Sequence, residues 1–440
     1  MSIRLRTILA AGTALLGLAS APAFATPTYA LETTIPINLG ASKFTGYDLS
    51  IIDPATQLYY LTDRSAGAID VISTATDTLV GRIGQGQSLF SGVSTGNNTA
   101  GPNGISITDV AGGKLLLAGN TVPNSTTGNV IAFNLASNGT TVLQTRTLTT
   151  LNANTPLPAN RVDGVAYSPV ANTILAANNT STPGAITIVN NANGAIIKTL
   201  ALNGLNGTPN GQGNGVEGPI YNTVTKTFFI AIPNLTSDAL GNGTGGGGIL
   251  EIDPATGNIL RTFDFNALGA PTACNPNGIV QGAGGVIGVA CGNSGTTANP
   301  GLTLFLDPAA NGGAGKLTYS AAVTGADQIA YDSSRNLYFE AARYALPSGG
   351  AGLTPALGIF DGNGNFIQSL PITNNDHSIA VDPVSGRVLV AYGASADTAN
   401  IPGCALGCVA VFAPVPEPAT MAIVLTGLVG MGAAFRRRQA

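Results

Sequence analysis

Polar residues and short apolar steps alternate along the chain in an arrangement that returns seven times. Each copy opens on a polar residue, passes through a small or neutral one, and then takes an apolar step that usually closes on Asp, Ser or Asn. The copies begin at Asp48 (DLSIID), Asn103 (NGISIT), Asp163 (DGVAYS), Glu217 (EGPIYN), Asn277 (NGIVQG), Asp327 (DQIAYD) and His377 (HSIAVD). Subtracting successive positions gives spacings of 55, 60, 54, 60, 50 and 50 residues. A period of this size marks a repeat architecture.

Three further runs follow each opening step. The second runs include LYYLTD, KLLLAGN, TILAANN and TFFIAIPN. The third include AIDVIST, NVIAFNL and GILEIDP. The fourth include LVGRIG, IIKTLAL and ILRTFDF. All are short, rich in β-branched and aromatic residues, and bounded by Gly, Asn, Asp or Pro, which predicts strands. Four strands per repeat predict an all-β fold, a seven-bladed β-propeller with one antiparallel sheet per blade, over residues 26–414. The fourth run has only six copies, because the third run of the last repeat (CVAVFAP) leads directly into a Pro-rich tail. The segment Leu31 to Gly40 (LETTIPINLG) precedes the first repeat and reads as the missing strand. The expected ring is closed by this N-terminal strand, which removes an open sheet edge.

Both ends differ from the body. Residues 1–25 read as a secretory signal helix: Arg4 and Arg6, an apolar stretch from Ile8 to Ala19, then Ala23-Phe24-Ala25, with cleavage between Ala25 and Thr26. Composition agrees with an exported protein. Charged residues make up only 9% of the chain, and 59 of its 440 residues are Gly. The net charge is −4, and the body between the two basic ends is more acidic still, which argues against nucleic acid and anionic membrane surfaces as partners. Cysteine usage points the same way. Cys274 and Cys291 flank a predicted hairpin at nearly equal distances from its turn, and Cys404 and Cys408 bracket one loop, so two disulfides are expected rather than a thiolate metal site.

The tidiest repeat, YYLTDRSAGAIDVISTATDTLVGRI, resembles the YVTN repeat of YncE-like seven-bladed propellers: an aromatic second strand, a polar residue at its end (Asp63), a Gly turn, then DVISTATDT. That resemblance implies a fold and an extracytoplasmic binding role, not an activity. The C-terminus, residues 415–440, resembles a PEP-CTERM sorting tail. It has Pro416-Glu417-Pro418, an apolar run from Met421 to Phe435, and the cluster Arg436, Arg437, Arg438. The run reads as a short transmembrane helix held on its cytoplasmic side by the arginines. The resemblance implies secretion, an inner-membrane intermediate and cleavage by an exosortase, followed by a place at the cell surface or in the biofilm matrix of a Gram-negative bacterium.

Loop lengths single out one face. Turns between the first and second strands are tight (DPATQ, SPVANT, DPVSGR), whereas Gly84 to Pro102, Asn120 to Asn129, Thr149 to Arg161, Asn234 to Gly248, Arg343 to Ala356 and Gly393 to Gly407 are long and share the opposite face. The seven opening residues Asp48, Asn103, Asp163, Glu217, Asn277, Asp327 and His377 fall around the channel mouth on that face. A second set ends the second strands: Asp63, Asn120, Asn178, Asn234, Asn293 and Arg343. Two readings of the first set stand: internal pairing where strands converge, or an oxygen-rich ring suited to Ca2+, a sugar or a peptide. The leading functional expectation is a surface or matrix module that binds matrix polysaccharide or surface proteins. The alternative is a propeller enzyme, lactonase- or lyase-like, with Asp163, Glu217, Asp327 and His377 as metal or acid/base groups. No local signature marks a nucleophile.

Overall fold

The second strand of each repeat reads as an unbroken apolar run because both of its faces are covered. The computed structural model describes residues 27–37, 43–93, 100–123, 125, 127–149, 161–179, 184–204, 215–235, 246–292, 302–345, 354–373, 378–394 and 399–415. In the second strand of the first blade, Leu58–Asp63, Tyr59 and Leu61 pack against the last blade, whereas Leu58 and Tyr60 pack against the next one. Alternate side chains point to opposite faces of a sheet. A sheet wedged between two others therefore needs apolar residues at every position.

Seven antiparallel sheets form the ring. The first blade is Tyr47–Asp53, Leu58–Asp63, Ala68–Ser73 and Thr78–Ile83 from the channel outward. The next four repeat that order. The sixth departs from it: its inner strand is split into Val323–Thr324 and Ile329–Asp332, both paired to Leu337–Ala345. One apolar cluster fills each of the seven junctions between neighbouring blades, including the junction of the last with the first.

The tight turns have a common cause. In the first, fourth, sixth and seventh blades the residue that closes the apolar step accepts a main-chain N–H from the turn: Asp53 from Ala55 at 3.2 Å, Asn222 from Val224 at 3.0 Å, Asp332 from Ser334 at 2.8 Å and Asp382 from Val384 at 3.0 Å. These are Asx turns, which is why Asp and Asn recur there.

The ring closes through the N-terminus. Thr28–Pro36 pairs antiparallel with Cys408–Val415 as the outer strand of the last blade, with Thr28 opposite Val415 and Pro36 opposite Cys408. The strand begins three residues before Leu31 and ends at Pro36, and its Tyr29 (2% exposed) packs edge-on against Phe339. Cys274–Cys291 and Cys404–Cys408 are disulfide-bonded. The signal segment 1–25 and the helix expected over 421–435 lie outside the described residues. Among the described residues no helix is long and apolar enough to cross a membrane.

One buried acid gives the fold a pH dependence. Glu340 lies fully buried between the fifth and sixth blades, where Thr303 donates its hydroxyl proton to Glu340 Oε2 at 2.6 Å. Burial pushes its pKa up from 4.5 to about 8. An acid raised on folding contributes stability below its unfolded value and loses it as pH rises through the folded one. At about 1.4 kcal/mol per unit, the protein loses about 3 kcal/mol from this group between pH 4.5 and 7. Glu340→Gln should flatten that slope and be the more stable form at pH 8, as read by denaturant melts across pH. Parallel curves for the two proteins would contradict the assignment.

Candidate functional site

The opening residues of the repeats meet at one end of the channel, where strand geometry aims them. In four blades the pairing of inner and second strands shifts register at the polar residue, between Tyr47 and Ser50, Val162 and Val165, Glu217 and Ile220, and Pro276 and Ile279. Such bulges redirect a side chain. The glycine that follows serves close approach. A Cβ on Gly104 would collide with the main-chain carbonyl of Asp163, which accepts the Gly104 N–H. A Cβ on Gly218, at φ 31°, would likewise collide with the main-chain carbonyl of Asn277.

Around this mouth the carboxylates are matched by arginines. Asp48 accepts from Arg64 Nη2 and lies 3.6 Å from Arg161 Nη2. Arg64 also donates to Asn103 Oδ1 from Nη2 at 2.7 Å and from Nε at 3.1 Å. Asn103 in turn donates to the Val162 carbonyl at 3.1 Å. Arg161, only 5% exposed, donates from Nε to Asp163 Oδ1 at 2.9 Å and makes a second, shorter contact from Nη2. It joins the third blade to the first, across the second. Asn179 donates to both Asp163 and Glu217, the latter at 3.2 Å. On the far side Asn277 donates to Asp327 at 2.6 Å, and Arg343 donates to the other Asp327 oxygen at 3.0 Å. His377 lies outside the described residues.

The charges settle each other. Burial disfavours a charged Asp163, but the Arg161 guanidinium, a hydrogen bond with Glu217 and the charge of Arg64 together outweigh it and hold that carboxyl below the usual range. Glu217 goes the other way: burial first, then the Asp163 carboxylate, raise it well above an ordinary Glu. The two guanidinium groups, Arg64 and Arg161, thus stand against Asp48 and Asp163, and Glu217 is the carboxyl whose protonated form burial favours. A hard divalent cation does not fit among these groups, because guanidinium groups already stand between the oxygens. No group of three or more His, Cys, Asp or Glu able to hold a metal ion occurs among the described residues.

Of the set expected from the second-strand ends, Arg343 reaches the mouth, on Asp327, and the other described members do not. Asp63 is fully buried inside the first blade beside Asp70, where burial and that neighbour push it up to about 8. Asn178 donates to Thr187 at 3.3 Å, and Asn120 donates to the Leu89 carbonyl at 3.0 Å. Asn234 is buried, and Asn293 lies outside the described residues. The others that reach the mouth are Arg64 and Asn179, each one residue after a predicted position, together with Arg161 from the loop ahead of the third blade. The available signal was scarcity: in a chain so poor in charge, Arg64 and Arg161 each stand within two residues of a carboxylate.

Beyond the polar mouth the channel opens into a cavity of about 560 Å³ along the inner strands. Gln328 lies across it, donating to the Ser50 carbonyl at 2.7 Å and accepting the Ile379 N–H at 2.9 Å.

Residues 414–438 match the PEP-CTERM protein-sorting motif. No curated protein matches the chain. Among solved structures it is similar to hydrazine synthase of Kuenenia stuttgartiensis, with 11% identity over 87% of this chain and 100% of that one and a TM-score of 0.53. It is also similar to the Cps50 (Swd1) β-propeller domain of Myceliophteria thermophila, with 10% identity over 88% and 100% and a TM-score of 0.54. The Dos1 propeller matches at 10% identity over 87% and 81%, with a TM-score of 0.50. At these identities the likeness is one of fold. The motif implies export, membrane-anchored sorting and processing by an exosortase in a Gram-negative bacterium. The chain is thus a seven-bladed β-propeller that carries a PEP-CTERM protein-sorting motif at its C-terminus.

Proposed function

We propose that the mature protein is a non-enzymatic binding module of the cell surface or extracellular matrix, released from residues 1–25 by cleavage after Ala25 and held in the inner membrane through residues 421–435 until its tail is cut. The YncE-like character of the first repeat belongs to the same reading. The observation that carries it is the guanidinium-matched mouth: the carboxylates that a metal or acid/base site would use are engaged by Arg64, Arg161 and Arg343. A rigid ring so locked is suited to display loops, which is where binding resides on such scaffolds. The test is retention of the producing cell's own extracellular polysaccharide by the mature protein, alongside thermal melts in Ca2+. Retention with an unmoved melting temperature is expected. A large Ca2+-dependent rise, the mark of a ligand bound only by the folded state, together with no retained polymer, would overturn the reading.

A second reading rests on Glu217. A buried carboxyl with a raised pKa beside an ionised partner is what a general acid requires. It makes the protein a lactone hydrolase or lyase acting through Asp163, Glu217, Asp327 and His377. Turnover of lactones or uronates that Glu217→Gln abolishes, with folding intact, would favour it.

A further inference from the structure

Eight arginines lie among the described residues, and seven have a carboxylate partner: Arg64, Arg82, Arg161, Arg261, Arg335, Arg343 and Arg387. The eighth, Arg146, is bound only to neutral groups. Its Nη2 donates to Asn191 Oδ1 at 2.9 Å, and its Nη1 donates to the Asn191 carbonyl. A half-buried guanidinium without a counter-charge is unusual in a protein that pairs every other one, since its unsatisfied charge favours an anion.

Arg146 lies in the outer strand of the second blade, Val142–Thr149, and lines a cleft of about 850 Å³ between the second and third blades. The cleft is on the tight-turn side of the ring, away from the mouth. Its polar groups are tied into one frame. Asn191 donates to Asn172 Oδ1 at 2.9 Å, and the Tyr167 hydroxyl donates to the same oxygen at 2.9 Å. On the opposite wall Asn134 donates to Gln144 Oε1 at 3.0 Å. The amide N–H groups of Asn172 and Gln144 are left over from these bonds. Lys114, at the base, is paired with both Asp53 and Asp109, so it offers no free positive charge. Leu143, 62% exposed, and the Tyr167 ring supply apolar surface. One unmatched cation, several fixed amides and a patch of apolar surface together suit a ring that carries hydroxyls and one carboxylate.

We propose that this cleft is the saccharide subsite of the module and takes a uronic acid residue, with its carboxylate on Arg146 and its hydroxyls on the amides of Asn172 and Gln144. The assignment rests on the binding-module reading and places the sugar on the face opposite the long loops. An acidic body gives no long-range attraction to a polyanion, so binding depends on this one charge and should weaken only modestly with salt.

The probes are oligogalacturonate and a neutral galactose oligomer of equal length, titrated into the mature protein by calorimetry. Oligogalacturonate should bind, the neutral oligomer should bind at least about 10-fold more weakly, and Arg146→Gln should weaken oligogalacturonate by about 10-fold or more, the scale of a charge-assisted hydrogen bond. Asn172→Asp places a carboxylate one side chain away from Arg146, across Asn191. It should abolish binding while leaving the melting temperature equal or higher, which separates loss of the site from loss of the fold. No binding of oligogalacturonate at millimolar concentration, or binding that both variants leave unchanged, would overturn the cleft assignment. Retention of the native polymer could then still hold through the loops, so the two readings fail separately.

Discussion

A chain lacking Thr28–Pro36 will not hold the closed ring. The strand supplies the whole outer edge of the last blade, pairing from Val415 to Cys408. It also buries Tyr29 and Ile35, each 2% exposed. Two such side chains contribute about 3–6 kcal/mol. The main-chain bonds of the strand add to this, and an ordinary domain has only about 5–15 kcal/mol in all. Denaturant melts of residues 28–415 and 37–415 test it, and near-complete loss of the cooperative transition is expected in the shorter chain. The register also offers a rescue. Because Thr28 stands opposite Val415, a two-residue Asn-Gly turn can join them, and a permuted chain that starts at Ile37 and ends with the transplanted strand should melt like the parent. If the shorter chain melts unchanged, closure contributes nothing.

The second large effect concerns Arg161. Substituting Met leaves Asp163 buried with its principal counter-charge gone, and removes the approach of Arg161 to Asp48. Breaking a buried pair from one side costs about 3–5 kcal/mol. Asp163→Asn in the same chain should restore much of that, a coupling that a double-mutant cycle measures. The pH response should also reverse. In the parent, Asp163 is lowered, so its contribution is present above the ordinary Asp range and is lost as pH falls through the folded value. Without Arg161 burial dominates and raises it, so the variant should be most stable in acid and lose stability as pH rises. A single substitution costing less than about 1 kcal/mol, within the range of surface changes, would show that the mouth is not locked by this residue.

Much of the fold could be read directly. The seven openings, the Asx-capped turns, the missing fourth strand and the cysteine pairs are local features, and local features survive in a sequence. Parity does not. Asp63 and Arg64 are adjacent, and which of them reaches the mouth depends on where the second strand ends relative to the bulge in its neighbour, a matter of pairing rather than composition. Arg161 sat in a long loop and so carried no strand phase at all. The split inner strand of the sixth blade is likewise unmarked, since Val323-Thr324 is too short a run to announce itself. The cleft at Arg146 was invisible for a different reason. It is made by an outer strand of one blade and two turns of the next, and attention to loop length directs the eye to the other face.

The pairing of Thr28 with Val415 has a consequence for biogenesis. A chain exported from its N-terminus delivers one half of its clasp first and the other half last, so six sheets must wait, with a free edge at each end, until nearly the whole polypeptide has crossed.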